Sequence, residues 1–104
     1  MKVIVCGAGQ VGYNIARQLS LENHDVTVLD SSSENIRTVS ESLDVQAIMG
    51  FASDPDVLER ANAADTDLMI AVTQSDEVNM VACQVAHSLF NVPTKLARLR
   101  VPVK

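Results

Sequence analysis

Gly7-Ala8-Gly9-Gln10-Val11-Gly12 has the spacing G-x-G-x-x-G, and the chemistry that needs this spacing is anion binding by bare backbone. Gly7 permits a sharp turn, Gly9 has no side chain to hold a pyrophosphate away from the amides, and Gly12 lets a helix pack closely on a sheet. Free N–H groups and the positive end of the helix dipole then attract the phosphates. A carboxylate, Asp30, follows 18 residues beyond Gly12, where it can accept both hydroxyls of an adenosine ribose. Three serines follow Asp30 with no adjacent Arg or Lys, which disfavours a 2′-phosphate and hence NADP. ATP, ADP and S-adenosylmethionine carry the same diol, so Asp30 alone leaves the nucleotide open. The plainer reading is a tight strand–helix turn with an incidental capping aspartate.

Other residues carry weaker signals. Thr73 and Gln74 end an apolar run and can face the second half of a ligand, although Thr73 or Ser75 can equally cap the next helix, with Asp76 and Glu77 in its first turn. Arg98 falls near the end of a late apolar run, where it seeks an anionic partner or lies on a surface edge. His24 and His87 have no Cys, Asp or His at ligand spacing and read as structural. Cys6 and Cys83 sit in apolar runs without a C-x-x-C and read as buried thiols. Tyr13 reads as a packing residue. No Tyr-x-x-x-Lys pair, Cys/His or Ser/His pairing or metal set is present, so no catalytic constellation accompanies the glycine loop.

The elements that must position these groups alternate strand and helix. Apolar runs at 2–6, 26–29, 45–49, 68–72 and 95–99 predict five strands. Val11, Ile15, Ala16 and Leu19 mark a first helix, and Ile36, Val39 and Leu43 a second behind the serine caps. Asp54-Pro55 opens a short third, and Val78, Val81, Ala82, Val85, Ala86 and Leu89 form one stripe on a fourth. The expected fold is α/β, a Rossmann-like doubly wound parallel sheet with five strands visible. With 104 residues, this is one domain spanning 1–104. The fifth strand has no closing helix after it, so the expectation is an excerpt of a longer chain, cut before the closing strand and helix.

Composition narrows the partners. Apolar residues make up 47%, enough for a core, and the net charge of −5 disfavours bulk electrostatic binding of nucleic acid. The only aromatics are Tyr13, Phe51 and Phe90, too few for base-stacking platforms. No apolar run reaches the roughly 20 residues of a membrane helix, and the chain starts directly on an apolar strand without a leader pattern. A soluble, cytoplasmic domain without direct membrane insertion is expected. Acids concentrate in 54–77 and bases in the last ten residues, which reads as solvated surface.

The glycine loop, Val26-Thr27-Val28-Leu29-Asp30, the segment Ala71-Val72-Thr73-Gln74-Ser75-Asp76-Glu77-Val78-Asn79 and the Ala97-Arg98 step together resemble the RCK (KTN) nucleotide-binding domains of bacterial potassium-transport regulators. The likeness covers almost the whole chain, and 73–79 is its most specific part. It implies a regulatory, non-enzymatic domain that binds NAD or NADH, or else ATP or ADP. Such a domain lies on the cytoplasmic side of a membrane-embedded potassium transporter subunit and forms homo-oligomeric rings. By family position Gly7, Ala8, Gly9, Gln10 and Val11, with Gly12 behind them, hold the pyrophosphate, and Asp30 holds the ribose. Thr73 and Gln74 line the far half, and Arg98 reaches the charged part of the ligand. After the third strand the family usually has Gly followed by Asp or Asn; this chain has Gly50-Phe51-Ala52-Ser53, in which Ser53 keeps a hydroxyl in register.

The resemblance implies a two-state regulator whose ligand favours one arrangement of adjoining domains. The alternative from another class is the cofactor-binding half of an NAD-dependent dehydrogenase with its catalytic half elsewhere. A third is a dimerisation module with an idle glycine loop.

Overall fold

The computed structural model describes residues 1–100. Five strands, β1 (Lys2–Cys6), β2 (Asp25–Asp30), β3 (Gln46–Met49), β4 (Leu68–Ala71) and β5 (Thr94–Ala97), form one sheet in the order β3-β2-β1-β4-β5. Every pairing is parallel. The helices are α1 (Gln10–Leu21), α2 (Ser33–Ser42), α3 (Pro55–Arg60) and α4 (Asp76–Phe90), with a single 3-10 turn at Ala63–Asp65. The expected Rossmann-like architecture is the observed one.

Strand alternation divides the core into two layers. Val3 and Val5 of β1 face α1 and α2 and pack with Ala16, Val26, Val28 and Val39. Ile4 and Cys6 face the opposite way and pack with Leu29, Leu58, Met69, Ala82 and Ala86 on the α3–α4 side. A strand buried on both faces has to be apolar throughout, which is why β1 reads as an unbroken run rather than an alternating one. β1 sits centrally, between β2 and β4, and the chain reverses its direction of travel across the sheet there. The carboxyl ends of β1 and β4 therefore diverge and leave a crevice between the loops that follow them.

Element ends differ from the sequence expectation by one or two residues. β4 stops at Ala71 and β5 at Ala97, so Val72 and Leu99 lie outside the strands, and Arg98 sits just past the last ladder position. The sequence reading of the chain end, from Val101 to Lys104, lies outside the described residues.

Two stripe assignments need correction. On α4, Ala82 and Ala86 are buried, but Val81 and Leu89 are exposed, and the fully buried position in register with the two alanines is the polar Asn79. On α1, Val11 is exposed and borders the crevice instead of joining the core. Periodicity places apolar residues on one helix face, but it does not say whether that face meets core, cavity or surface. Cys6 is buried as expected, whereas Cys83 on α4 is only half-buried.

Candidate functional site

The crevice opens into a cavity of about 510 Å3 at the carboxyl edge of the sheet, within the range of small-ligand sites. Its walls are the glycine loop, the β2–α2 turn, the loop after β3, and the loop after β4 with Arg98.

The three glycines of the loop have different reasons to be glycine. Gly7 adopts φ +107°, and a Cβ there would stand 2.8 Å from the Val72 carbonyl oxygen. At Gly12 a Cβ would meet the Gly7 carbonyl oxygen at 1.7 Å. Both are demanded by the fold. Gly9 is not: its backbone is extended, at φ −70° and ψ −167°, and the nearest atom to an added Cβ is Gln74 Nε2 at 3.9 Å. No protein atom needs that space. It is open to a ligand approaching the backbone, as a pyrophosphate does.

Of the four α-helices among the described residues, the one entered by this loop has no side-chain cap. Ser32 accepts the Asn35 N–H for α2, Asp54 accepts the Asp56 N–H for α3, and Ser75 accepts the Val78 N–H for α4. Each of those helices also has an acid in its first turn. At α1 Gly9 offers no side chain, and the first turn has no acid. Its first residues, Gln10 and Val11, line the cavity with no side-chain cap on their amides, a disposition that favours an anion.

Asp30 ends β2 at the cavity wall. Its Oδ2 accepts the backbone N–H of Ala8 at 2.7 Å, and Oδ1 accepts that of Ser32 at 2.7 Å. The Asn35 amide donates to Oδ2 from 3.4 Å. A carboxylate has about four acceptor positions, so these contacts orient Asp30 and still leave it capacity for a ligand hydroxyl.

Beyond β4, the Asn79 side chain holds Thr73 from beneath. Asn79 Oδ1 accepts both the Thr73 N–H (2.9 Å) and the Thr73 hydroxyl (2.7 Å), while its Nδ2 donates to the carbonyls of Thr73 (3.3 Å) and Arg98 (2.9 Å). All four hydrogen-bonding positions of a fully buried amide are thus filled, as burial requires. The Arg98 guanidinium donates to the Val72 and Thr73 carbonyls at 2.9 Å each, bracing the same loop from the cavity side. Arg98 Nε is buried without a partner among the described residues. Gln74 reaches toward the glycine loop, and its Oε1 accepts from Arg100.

The sequence-derived site is largely brought together. Gly7, Gly9, Gln10, Val11 and Asp30 line the cavity on one side; Thr73, Gln74 and Arg98 line it on the other. Ala8 and Gly12 do not: Ala8 is buried and acts through its N–H, and Gly12 lies under the loop. Ser53 lies past the cavity wall, which is formed instead by Gly50, Phe51 and Ala52. The cap question resolves to Ser75, since the Thr73 hydroxyl turns to Asn79. Sequence reasoning missed Asn79 and Asn35 as positioning groups. For Asn79 the signal was its three- and seven-residue spacing from Ala82 and Ala86, which places it on the core face of α4.

The fold and the glycine loop define a Rossmann-type α/β domain. More narrowly, the chain belongs to the TrkA-N domain family, whose model matches residues 3–104. A Trk system potassium uptake protein TrkA from Azorhizobium caulinodans is 57% identical over 100 residues, covering 96% of this chain and 22% of the relative. Among solved structures, the Kef CTD of Shewanella denitrificans in its AMP-bound form is 25% identical, with a TM-score of 0.78 over 92% of this chain and 57% of the other. A GsuK channel bound to NAD is 22% identical, with a TM-score of 0.77 over 89% of this chain and 17% of that one.

Proposed function

We propose that this chain is the nucleotide-sensing domain of a potassium-uptake regulator, without catalytic activity of its own. The observation that carries the reading is Gly9: an unstrained glycine facing open space at an uncapped helix, with Asp30 across the same cavity. An adenine nucleotide fits this arrangement. Its phosphates would lie on the α1 N-terminus between Gly7 and Val11, its ribose diol on Asp30, and its far half beside Thr73, Gln74 and Arg98. NAD or NADH is the first choice and ATP or ADP the second. The Asp30 carboxylate would repel a 2′-phosphate and so select against NADPH.

The potassium link rests on the family and on the names of its members; the chain spans 22% of the length of the TrkA relative from Azorhizobium. The proposed partner is a membrane-embedded potassium transporter subunit of the Trk type, approached from the cytoplasmic face. Homo-oligomerisation would belong to the full assembly. No helix among the described residues is long and apolar enough to cross a membrane. Arg98 and Asn79 tie the loop after β4 to the end of β5. A ligand touching Thr73 thereby acts on the sheet edge, where adjoining structure would register it. Regulation requires that the ligand prefer one arrangement of domains over the other.

Calorimetric titration with NADH, NAD, ATP, ADP and NADPH in parallel tests the reading. NADH or ATP binding, with NADPH clearly weaker, is expected. Failure of all five to bind would overturn it.

A further inference from the structure

The loop after β3 presents one feature that the glycine loop and Asp30 leave unexplained. Phe51 is 62% exposed, yet it stands on backbone that is tightly held. Gly50 donates its N–H to the Asp30 carbonyl at 2.9 Å, and a Cβ on Gly50 would lie 2.6 Å from a Val57 methyl, so the entry to the loop is fixed against α3. At the exit, Asp54 donates its N–H to the Phe51 carbonyl at 3.0 Å before capping α3. Ala52 takes the buried side of this turn at 4% exposure, which leaves Phe51 on the cavity side.

A fixed aromatic ring left in water is unfavourable unless something covers it, because apolar surface removed from water is stabilising. The position says what does. Gly50, the residue before Phe51, donates to the backbone carbonyl of Asp30, and Asp30 and Phe51 line the same cavity, so a nucleoside with its diol on the Asp30 carboxylate would have its base on the Phe51 side of that cavity.

We infer that Phe51 is the platform on which the base of the bound nucleotide stacks, and that it makes the site prefer purine over pyrimidine nucleotides. This rests on the nucleotide-binding reading above and deepens it. A phenyl face offers no hydrogen-bond code; it rewards overlap area, and a two-ring purine overlaps more than a one-ring pyrimidine.

Two measurements decide it. In the first, the wild-type protein and Phe51→Ala are titrated calorimetrically with AMP and CMP. AMP is expected to bind the wild type more tightly than CMP, and the variant to lose about ten-fold or more in AMP affinity and most of that preference. The variant removes an exposed side chain and leaves the pinned backbone, so folding is retained. In the second, Phe51→Trp introduces the only tryptophan, since the chain has none. Stacked adenine should change its emission saturably, with a midpoint that matches the calorimetric one. Equal AMP affinity in Phe51→Ala, or unchanged indole emission with AMP demonstrably bound, would overturn the stacking role while leaving the nucleotide site intact. Absence of any nucleotide binding to the wild type would overturn both.

Discussion

The Asp30 carboxylate accepts the Ala8 N–H at 2.7 Å, so the acid at the end of β2 and the glycine loop after β1 are one hydrogen-bonded unit. The acid assigned to the ribose therefore also shapes the phosphate loop. Asp30→Ala should act twice. Affinity for NADH should fall by roughly 1.5–3 kcal/mol, the scale of a charged hydrogen bond, and stability by about 1–3 kcal/mol as the Ala8 and Ser32 amides lose their acceptor. Asp30→Asn keeps one acceptor for two backbone N–H groups and turns a donor onto the other, so it should recover only part of the stability and less of the binding. Calorimetry and urea denaturation on the two variants separate these effects, and unchanged NADH affinity in Asp30→Ala would remove the residue from the site.

Gly9 and Gly12 make a paired test of what the glycine motif is for. Gly12→Ala would force a Cβ to within 1.7 Å of the Gly7 carbonyl oxygen, so the helix must move. A loss of about 1–3 kcal/mol or more is expected, as for other overpacked sites. At Gly9→Val the new Cβ has no protein atom nearer than Gln74 Nε2 at 3.9 Å, and the backbone conformation is an ordinary one. It should cost no more than about 1 kcal/mol, the scale of a weakened N-cap, while the valine blocks pyrophosphate approach. Normal nucleotide binding by Gly9→Val would show that the loop is not the phosphate cradle.

Much of this was legible in the sequence because the strands are buried on both faces. Val3, Ile4 and Val5 alternate between the two core layers, yet all must be apolar, and that makes a run no surface segment would carry. The glycine spacing and Asp30 were legible because their chemistry fixes residue type. What stayed hidden depends on where a helix face ends up. Val81 and Leu89 fit the α4 stripe but face outward, and Val11 faces the cavity. Ser53 was placed by register alone; the turn at Ala52 swings it out of the wall and leaves Phe51 there. The Asp30–Ala8 bond joins residues 22 apart and leaves no pattern in the chain.

Asn79 is the polar residue on which the second half of the site depends. Replacing it with Ala strips two acceptor contacts from Thr73 and two donor contacts from the Thr73 and Arg98 carbonyls, deep in the molecule. A stability loss of about 1–3 kcal/mol is expected, together with weaker nucleotide binding, because Thr73 loses its support. Asn79→Asp keeps the acceptor side but buries a charge and loses both donors, so it should be no better than Ala. Denaturation curves for both variants check this. A fully stable Asn79→Ala would mean that the loop after β4 is held without it, by the Arg98 guanidinium and the Val72–Cys6 hydrogen bond.

The thiols make stability depend on alkaline pH. Burial pushes the Cys6 thiol far above its ordinary value of 9.0, and the neighbouring Cys83 adds to the shift. Cys83 is itself raised by burial, with Lys95 opposing. A raised thiol favours the protonated form in the folded state, so its contribution is complete below pH 9.0 and is lost as pH climbs above it, where only the unfolded chain releases the proton. Above that point Cys6 alone should lower the unfolding free energy by up to about 1.4 kcal/mol per pH unit. Cys6→Ala removes that slope while leaving every lysine in place, so the difference between the two pH–stability curves from 8 to 11 isolates the thiol. Parallel curves for the two proteins would show that Cys6 does not set the alkaline limit.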